Sequence, residues 1–171
     1  MLDNSDIGIL ARRRIEAEII KPIYQILKRD FGTERAQALI GEAISQSAAE
    51  SARQFAARSP QGPDMQSFIA LQPLWEQDHA LELEVLEADS TRYHYDVKRC
   101  QYAEMYQQMG LSEIGHLLSC RRDGEFIAAY APQIAMTRTT TIMAGDARCN
   151  FRYQLRTATA DAAVLSESGH D

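Results

Sequence analysis

Four residues able to act as nucleophile, base, acid or metal ligand crowd into one short stretch, SEIGHLLSCRRD, residues 112 to 123. Glu113, His116, Cys120 and Asp123 follow one another at spacings of three, four and three. On a helix turning about 100° per residue they fall within an arc of roughly 80°. A His and a Cys one turn apart can form a thiolate–imidazolium pair, which is a nucleophile at neutral pH. The same two side chains with a carboxylate can bind a divalent metal. The plain alternative is an ordinary helix flank. Ile114, Leu117 and Leu118 then face the core, Cys120 fills space beside them, and His116 sits at the boundary.

Two further cysteines widen the choice. Cys100 stands where an alternating strand gives way to a helix, and unpaired N–H groups at a helix start favour a thiolate. It is equally placed to be the strand's last inward residue. Cys149 and Phe151 share one face of a later strand, with Asn150 and Arg152 on the other. That pattern makes Cys149 a buried structural residue. A metal centre of all three thiols requires the fold to gather them, and no CxxC or HExxH pattern supports one. Arg138, beside Thr139, Thr140 and Thr141, is a natural bidentate partner for a carboxylate of the protein or of a ligand. Threonine runs are also simply good strand formers. Gly145 and Asp146 in MAGDARC read as turn residues, with too few glycines to cradle a phosphate. His94 alternates with Tyr93 and Tyr95, which suits cross-strand packing. His79 is isolated, and Phe68 and Trp75 read as core anchors.

These residues need elements to hold them. Residues 6 to 29 carry Ile20, Tyr24 and Leu27 at helical spacing, with Pro22 predicting a kink or break. Gly32 suits a helix end and Thr33 an N-cap. A second helix spans 34 to 58, and its Ala and Ser residues allow a close antiparallel pairing with the first. SPQGPD, residues 59 to 64, is a turn-rich break before a short helix from about 65 to 76. LELEV and RYHYDVKRC alternate as the two strands of a hairpin. Helix follows over 101 to 109 and again from Ser112, a candidate N-cap, to about 130, with Gly124 a candidate interruption. QIAMTRTTTIM and RCNFRYQLR form a last hairpin around AGDA. The expected fold is α+β: an N-terminal helical pair, then an antiparallel sheet of about four strands from two hairpins, with helices packed on one face. One domain covers 1–156, with the helical pair in 1–58 and the sheet-and-helix portion in 80–156. Residues 157–171 form a frayed polar tail.

The totals narrow the partners. The chain has 171 residues, 45% hydrophobic and 25% charged, enough for a single core. Its net charge of −6 argues against nucleic acid, whose phosphates demand a basic surface. Arg12, Arg13 and Arg14 lie among Glu16 and Glu18 and read as a solvated helix face. No apolar run reaches membrane-span length, and MLDNSDIGIL has no signal-peptide pattern, so the cytoplasm is the expected location and no membrane partner is expected. Three cysteines there are thiols rather than a disulfide framework. A homo-oligomer is a candidate assembly, through sheet edges or the Ala-rich helix.

The C-terminal half is more specific than any one spacing. RCQYAEMYQQMGLSEIGHLLSCRRDGEF, then Pro132, then RTTTIMAGDARCNFRY resembles the L-2-amino-thiazoline-4-carboxylic acid hydrolase family over about residues 93–154. Cys100 matches the family's first cysteine, and Cys120 with Asp123 its C-x-x-D. Arg138, Thr139 and Thr141 match R-T-x-T. Gly145, Cys149, Phe151 and Arg152 match the closing motif, where Asn150 replaces the usual Asp. The resemblance implies hydrolytic opening of a cyclic amidine or related C–N ring bond of a small substrate, ultimately yielding a carbamoyl cysteine. Carried over, Cys100 or Cys120 is the nucleophile, and Asp123, with or without Glu113, holds the amidinium and moves protons. Arg138 clamps the substrate carboxylate, with Thr139 of the same motif and Asn150 of the closing motif as substrate-binding candidates. His116 has no place in the family pattern and stays a catalytic candidate on spacing alone. Thiolate attack and a cysteine-bound divalent metal both remain open as the means of activation. A second, weaker resemblance, through Gly145, Asp146, Cys149 and Phe151, is to the small-molecule-binding domains named after vinyl reductase, and it implies a pocket without chemistry.

Overall fold

The computed structural model describes residues 7–156; the predicted 157–171 tail lies outside them. Helix α1, Ile9–Phe31, and helix α2, Thr33–Ala56, pack on each other across a single linking residue, Gly32. Gly32 has a φ of 81°, the left-handed region that ends helices, and its N–H donates to the Lys28 carbonyl. It also takes the N-cap position of α2, so Thr33 is already helical. The predicted break at Pro22 does not occur, and α1 runs through it. Ala17, Ile20, Tyr24 and Leu27 pack into one cluster on both sides of the proline, so burial keeps the helix continuous across it.

Asp64 and Ser67 form a reciprocal capping box that starts α3, Met65–Leu71. Helix α4, Pro73–Glu76, is one turn. Strands β1, Leu81–Ala88, and β2, Arg92–Cys100, make the first hairpin; β3, Ile134–Thr137, and β4, Cys149–Leu155, make the second. β2 pairs antiparallel with β4, so the hairpins join in the order β1-β2-β4-β3. The expected α+β architecture is thus the one observed. Alternation along β2 and β4 sends Tyr93, Tyr95, Val97, Cys149, Phe151 and Tyr153 to the buried face, against Phe68 of α3 and Phe126, Ile127 and Tyr130 of α6, Arg121–Tyr130. The other face is polar. There Asp96 accepts a hydrogen bond from Arg152 and lies near Arg148 and Lys98.

Between the hairpins, α5, Gln101–Gln108, gives way not to one long helix but to a turn and then a π-helical turn at His116–Cys120. Ser112 caps no helix, and Gly124 lies inside α6 without interrupting it. A second difference is the end of β3. The predicted strand through Met143 stops at Thr137, and Arg138–Thr141 leave the ladder for a 3-10 turn at Ile142–Ala144. The cause is Asn150. Its side-chain oxygen accepts from the Thr139 N–H, the Thr140 N–H and the Thr140 hydroxyl at 2.8–2.9 Å, and its amide donates to the Thr139 hydroxyl at 2.8 Å. Those backbone groups bond to a side chain in place of a neighbouring strand.

Candidate functional site

The π turn decides which of the four opening residues meet. Its i→i+5 bonding breaks the α-helical phase, so the arc expected for Glu113, His116, Cys120 and Asp123 does not form. Glu113 points away and pairs with Lys28 of α1 at 2.8 Å, exposed. His116 is also exposed and lines no cavity. Cys120, at the end of the π turn, and Asp123, in the first turn of α6, both face a cavity of about 840 Å³. Kept dry, 840 Å³ would cost about 20 kcal/mol at roughly 24 cal/mol per Å³. A whole domain is held by only about 5–15 kcal/mol. The space therefore holds water, about 28 molecules at roughly 30 Å³ each, or a ligand.

The sheet and loops bring the remaining groups to this cavity. Cys100 comes from the end of β2, Cys149 from the start of β4, and Arg138 from the irregular segment after β3. All three thiols, free in the structure, thus line one chamber. Among the described residues no three His, Cys, Asp or Glu side chains gather as a metal-binding set. Arg138 is already engaged. It donates to Asp123 at 2.5 Å and to the Cys120 carbonyl at 2.9 Å, and its guanidinium lies 4.7 Å from the centre of the Phe151 ring. Thr139 and Asn150 do not line the cavity. They hold each other, and through that contact the segment that carries Arg138.

Burial sets the proton affinities. It pushes the Cys120 thiol up to about 12, and the charge of Asp123 adds to that shift. It pushes Cys100 up to about 11, and hydrogen bonds from the helix start at Ala103 and Tyr102 offset only part of the rise. The thiolate expected at the start of α5 is therefore not favoured in the free protein, because desolvation outweighs the helix terminus. Burial also raises the Asp123 carboxyl, against the opposing pull of Arg138. The Arg13 and Arg122 guanidiniums also face the cavity, and both bind Glu16. Burial lowers Arg122 to about 10.

Much of the remaining wall is aromatic. Trp75, Phe55 and Phe126 touch edge-to-face, with ring centres 5.3 and 5.8 Å apart. Tyr95, Phe151 and Tyr153 stack on one another beside Phe68. Sequence reasoning placed Phe68 and Trp75 in the core and Arg12 and Arg13 on a solvated face. All four line the chamber, although α1 is distant in sequence from the cysteines. Spacing within α1 carries no sign of this, since only the packing of α1 near α4 turns those arginines inward. No helix among the described residues is long and apolar enough to cross a membrane.

A family model described as L-2-amino-thiazoline-4-carboxylic acid hydrolase matches residues 12–153. The match takes in the helical half as well as the motif-bearing stretch after residue 93. None of the curated proteins matches the chain. Among solved structures, the phenol-responsive sensory domain of the transcription activator PoxR, with phenol, is similar. It is 14% identical at a TM-score of 0.51, covering 92% of this chain and 82% of that one. A trafficking protein particle complex subunit 3 from Naegleria fowleri, covalently bound to palmitic acid, is 11% identical at a TM-score of 0.46, covering 85% of this chain and 96% of that one. At these identities the first likeness is one of fold.

Proposed function

The chain belongs to the L-2-amino-thiazoline-4-carboxylic acid hydrolase family, and from that premise we propose that it opens a small cyclic amidine or related C–N ring through a cysteine-centred site. The observation that carries this reading is the convergence of Cys100, Cys120 and Cys149 with the Asp123–Arg138 pair on one cavity. Cys120 is the nucleophile, because it adjoins the carboxylate. In the free protein its thiol stays protonated. An amidinium bound at Asp123 cancels the charge that helps hold the proton there, so the substrate itself favours the thiolate. Asp123, made a better base by burial, takes the thiol proton as Sγ bonds to the electron-poor ring carbon. The ring bond to the leaving heteroatom then breaks, and that atom takes the proton from Asp123. Water next replaces sulfur on the carbon, one of its protons returns to Sγ, and the extra proton of the original cation leaves to solvent. Arg138 keeps Asp123 oriented throughout.

A second reading is a small-molecule-binding domain without chemistry. It is favoured by thiols held protonated and by an aromatic wall, in a fold shared with a phenol-responsive sensory domain. A mass-spectrometric assay separates the two. Purified protein is offered L-2-amino-thiazoline-4-carboxylate and a panel of cyclic amidines, hydantoins and ring amides. A ring-opened product one water heavier, lost in Cys120→Ser with the fold retained, supports the hydrolase. No product from folded protein refutes it in favour of the binding domain. Full turnover by Cys120→Ser removes Cys120 from the chemistry.

A further inference from the structure

The cavity is too large, too aromatic and too positive for a single small ring. A five-membered ring with a carboxylate displaces only a few of the waters that 840 Å³ can hold. The volume falls instead in the range of sites for drug-sized ligands, roughly 300–1,000 Å³. The wall of Phe55, Trp75 and Phe126 offers ring faces and edges to an apolar body. Charge adds a second constraint. Arg13, Arg58, Arg122 and Arg138 line the chamber, where Asp123 is the one acidic residue among the described residues, with Glu16 binding Arg13 and Arg122 from outside it. Arg138, the expected carboxylate clamp, is taken up by Asp123. Arg58 differs from it. It makes no ion pair among the described residues, and it lies over the Phe55 ring at 5.5 Å.

We infer that the chamber takes an anionic ligand with a bulky aromatic body, the body against Phe55, Trp75 and Phe126 and the anionic group at Arg58. The inference rests on the proposed function only in placing the substrate in this cavity. It makes the substrate an aryl-extended ring carboxylate, with its amidine end at Asp123 and the thiols.

Trp75 is the chain's one tryptophan, so its emission reports on the chamber directly. The test titrates the full chain with 8-anilinonaphthalene-1-sulfonate and with N-phenyl-1-naphthylamine, which has the same aryl skeleton without the charge. Saturable one-to-one quenching of Trp75 is expected for both, with the sulfonate at least tenfold tighter. Arg58→Gln is expected to remove that preference and leave the neutral probe's affinity unchanged. Ser51→Phe, which fills part of the chamber from α2, is expected to weaken both at least tenfold, with the far-ultraviolet spectrum as the check on folding. Equal affinities for the two probes in the wild type overturn the anionic assignment. A preference that survives Arg58→Gln overturns the role of Arg58. Absence of saturable quenching by either probe overturns the whole inference, whether or not Ser51→Phe folds. Turnover of the small ring without probe binding sinks this inference and leaves the hydrolase standing. Tight, charge-selective binding without turnover, even of aryl-extended rings, does the reverse.

Discussion

Asn150 stands where the family pattern has Asp, and the structure says what that exchange should do. Asn150→Ala removes four hydrogen bonds: two from backbone N–H groups, one from the Thr140 hydroxyl and one to the Thr139 hydroxyl. At about 1 kcal/mol net each they would sum to about 4 kcal/mol. Water can replace those on the exposed Thr139 side, so about 2 kcal/mol is expected. For a chain of this size that lowers Tm by about 4–8 °C. The loop it frees carries Arg138, so turnover should fall with stability, mainly through kcat as Asp123 loses its orientation. Asn150→Asp should behave differently. A carboxylate can accept the same three hydrogen bonds, and the Thr139 hydroxyl can rotate to donate. The new charge lies opposite Asp96 in the sheet register, but Arg148, Arg152 and Lys98 already surround that carboxylate. Stability within about 1 kcal/mol of wild type and nearly unchanged turnover are expected. Thermal denaturation and the mass-spectrometric assay measure both variants. Unaltered Tm and turnover in Asn150→Ala would refute the anchoring role. A folded Asn150→Asp with greatly altered turnover would refute the placement of residue 150 away from the cavity.

Iodoacetamide labelling tests the thiols. A shift from 9.0 to about 12 leaves roughly a thousandfold less thiolate at neutral pH, so Cys120 should label far more slowly in the folded than in the unfolded chain. Rapid labelling of Cys120 in the native protein would contradict the burial argument. Asp123→Asn should speed that labelling at least tenfold, because it removes the anion and leaves the Arg138 cation beside the thiol; unchanged or slower labelling would show that the Asp123 charge does not help hold the proton on Cys120. For assembly we propose a homodimer through α1, where Ile15, Ile19, Ile23 and Ile26 are 44–64% exposed along one stripe. Two helices crossing antiparallel would set Ile15 on the partner's Ile26 and Ile19 on the partner's Ile23. Sedimentation should show a dimer that Ile19→Glu converts to monomer, and a wild-type monomer at tens of micromolar would end the proposal. On the Ala-rich α2, Ala36, Ala48 and Ala52 are already buried within the chain.

How far the sequence could be read depended on the range of the forces involved. Alternation along RYHYDVKRC and RCNFRYQLR gave the strands and their inward residues, because a sheet buries every second side chain whatever lies elsewhere. The helical pair was legible for the same reason. The failures were at places where one distant group overrides local preference. Thr139, Thr140 and Thr141 prefer strand, yet Asn150, about ten residues on, draws off the hydrogen bonds of the first two, and Asp146 accepts from the Thr141 N–H. His116 was placed beside Cys120 by assuming α-helical phase, and a π turn carries no mark in composition. Arg12 and Arg13 look solvated until α1 is packed, and the resemblance in the C-terminal half gave no hint of them.

The C-x-x-D spacing acquires a physical meaning once the π turn is seen. It sets a thiol and a carboxylate on the same side of the junction between the π turn and α6, both in a chamber where burial opposes every charge. Burial raises the proton affinity of such a carboxylate and so works against its holding a cation. Arg138 opposes that rise, and by also binding the Cys120 carbonyl it ties the pair to the backbone of the proposed nucleophile. Arg138 binds Asp123 through Oδ2, and an amidinium can donate to Oδ1. In the proposed mechanism the Arg of R-T-x-T acts on the substrate through Asp123. Arg138→Lys is the sharper test of that claim. A lysine keeps the charge but cannot make both contacts, so kcat should fall while the affinity for the substrate's anionic group stays unchanged. A rise in KM specific to carboxylate-bearing substrates would instead return Arg138 to the role of clamp.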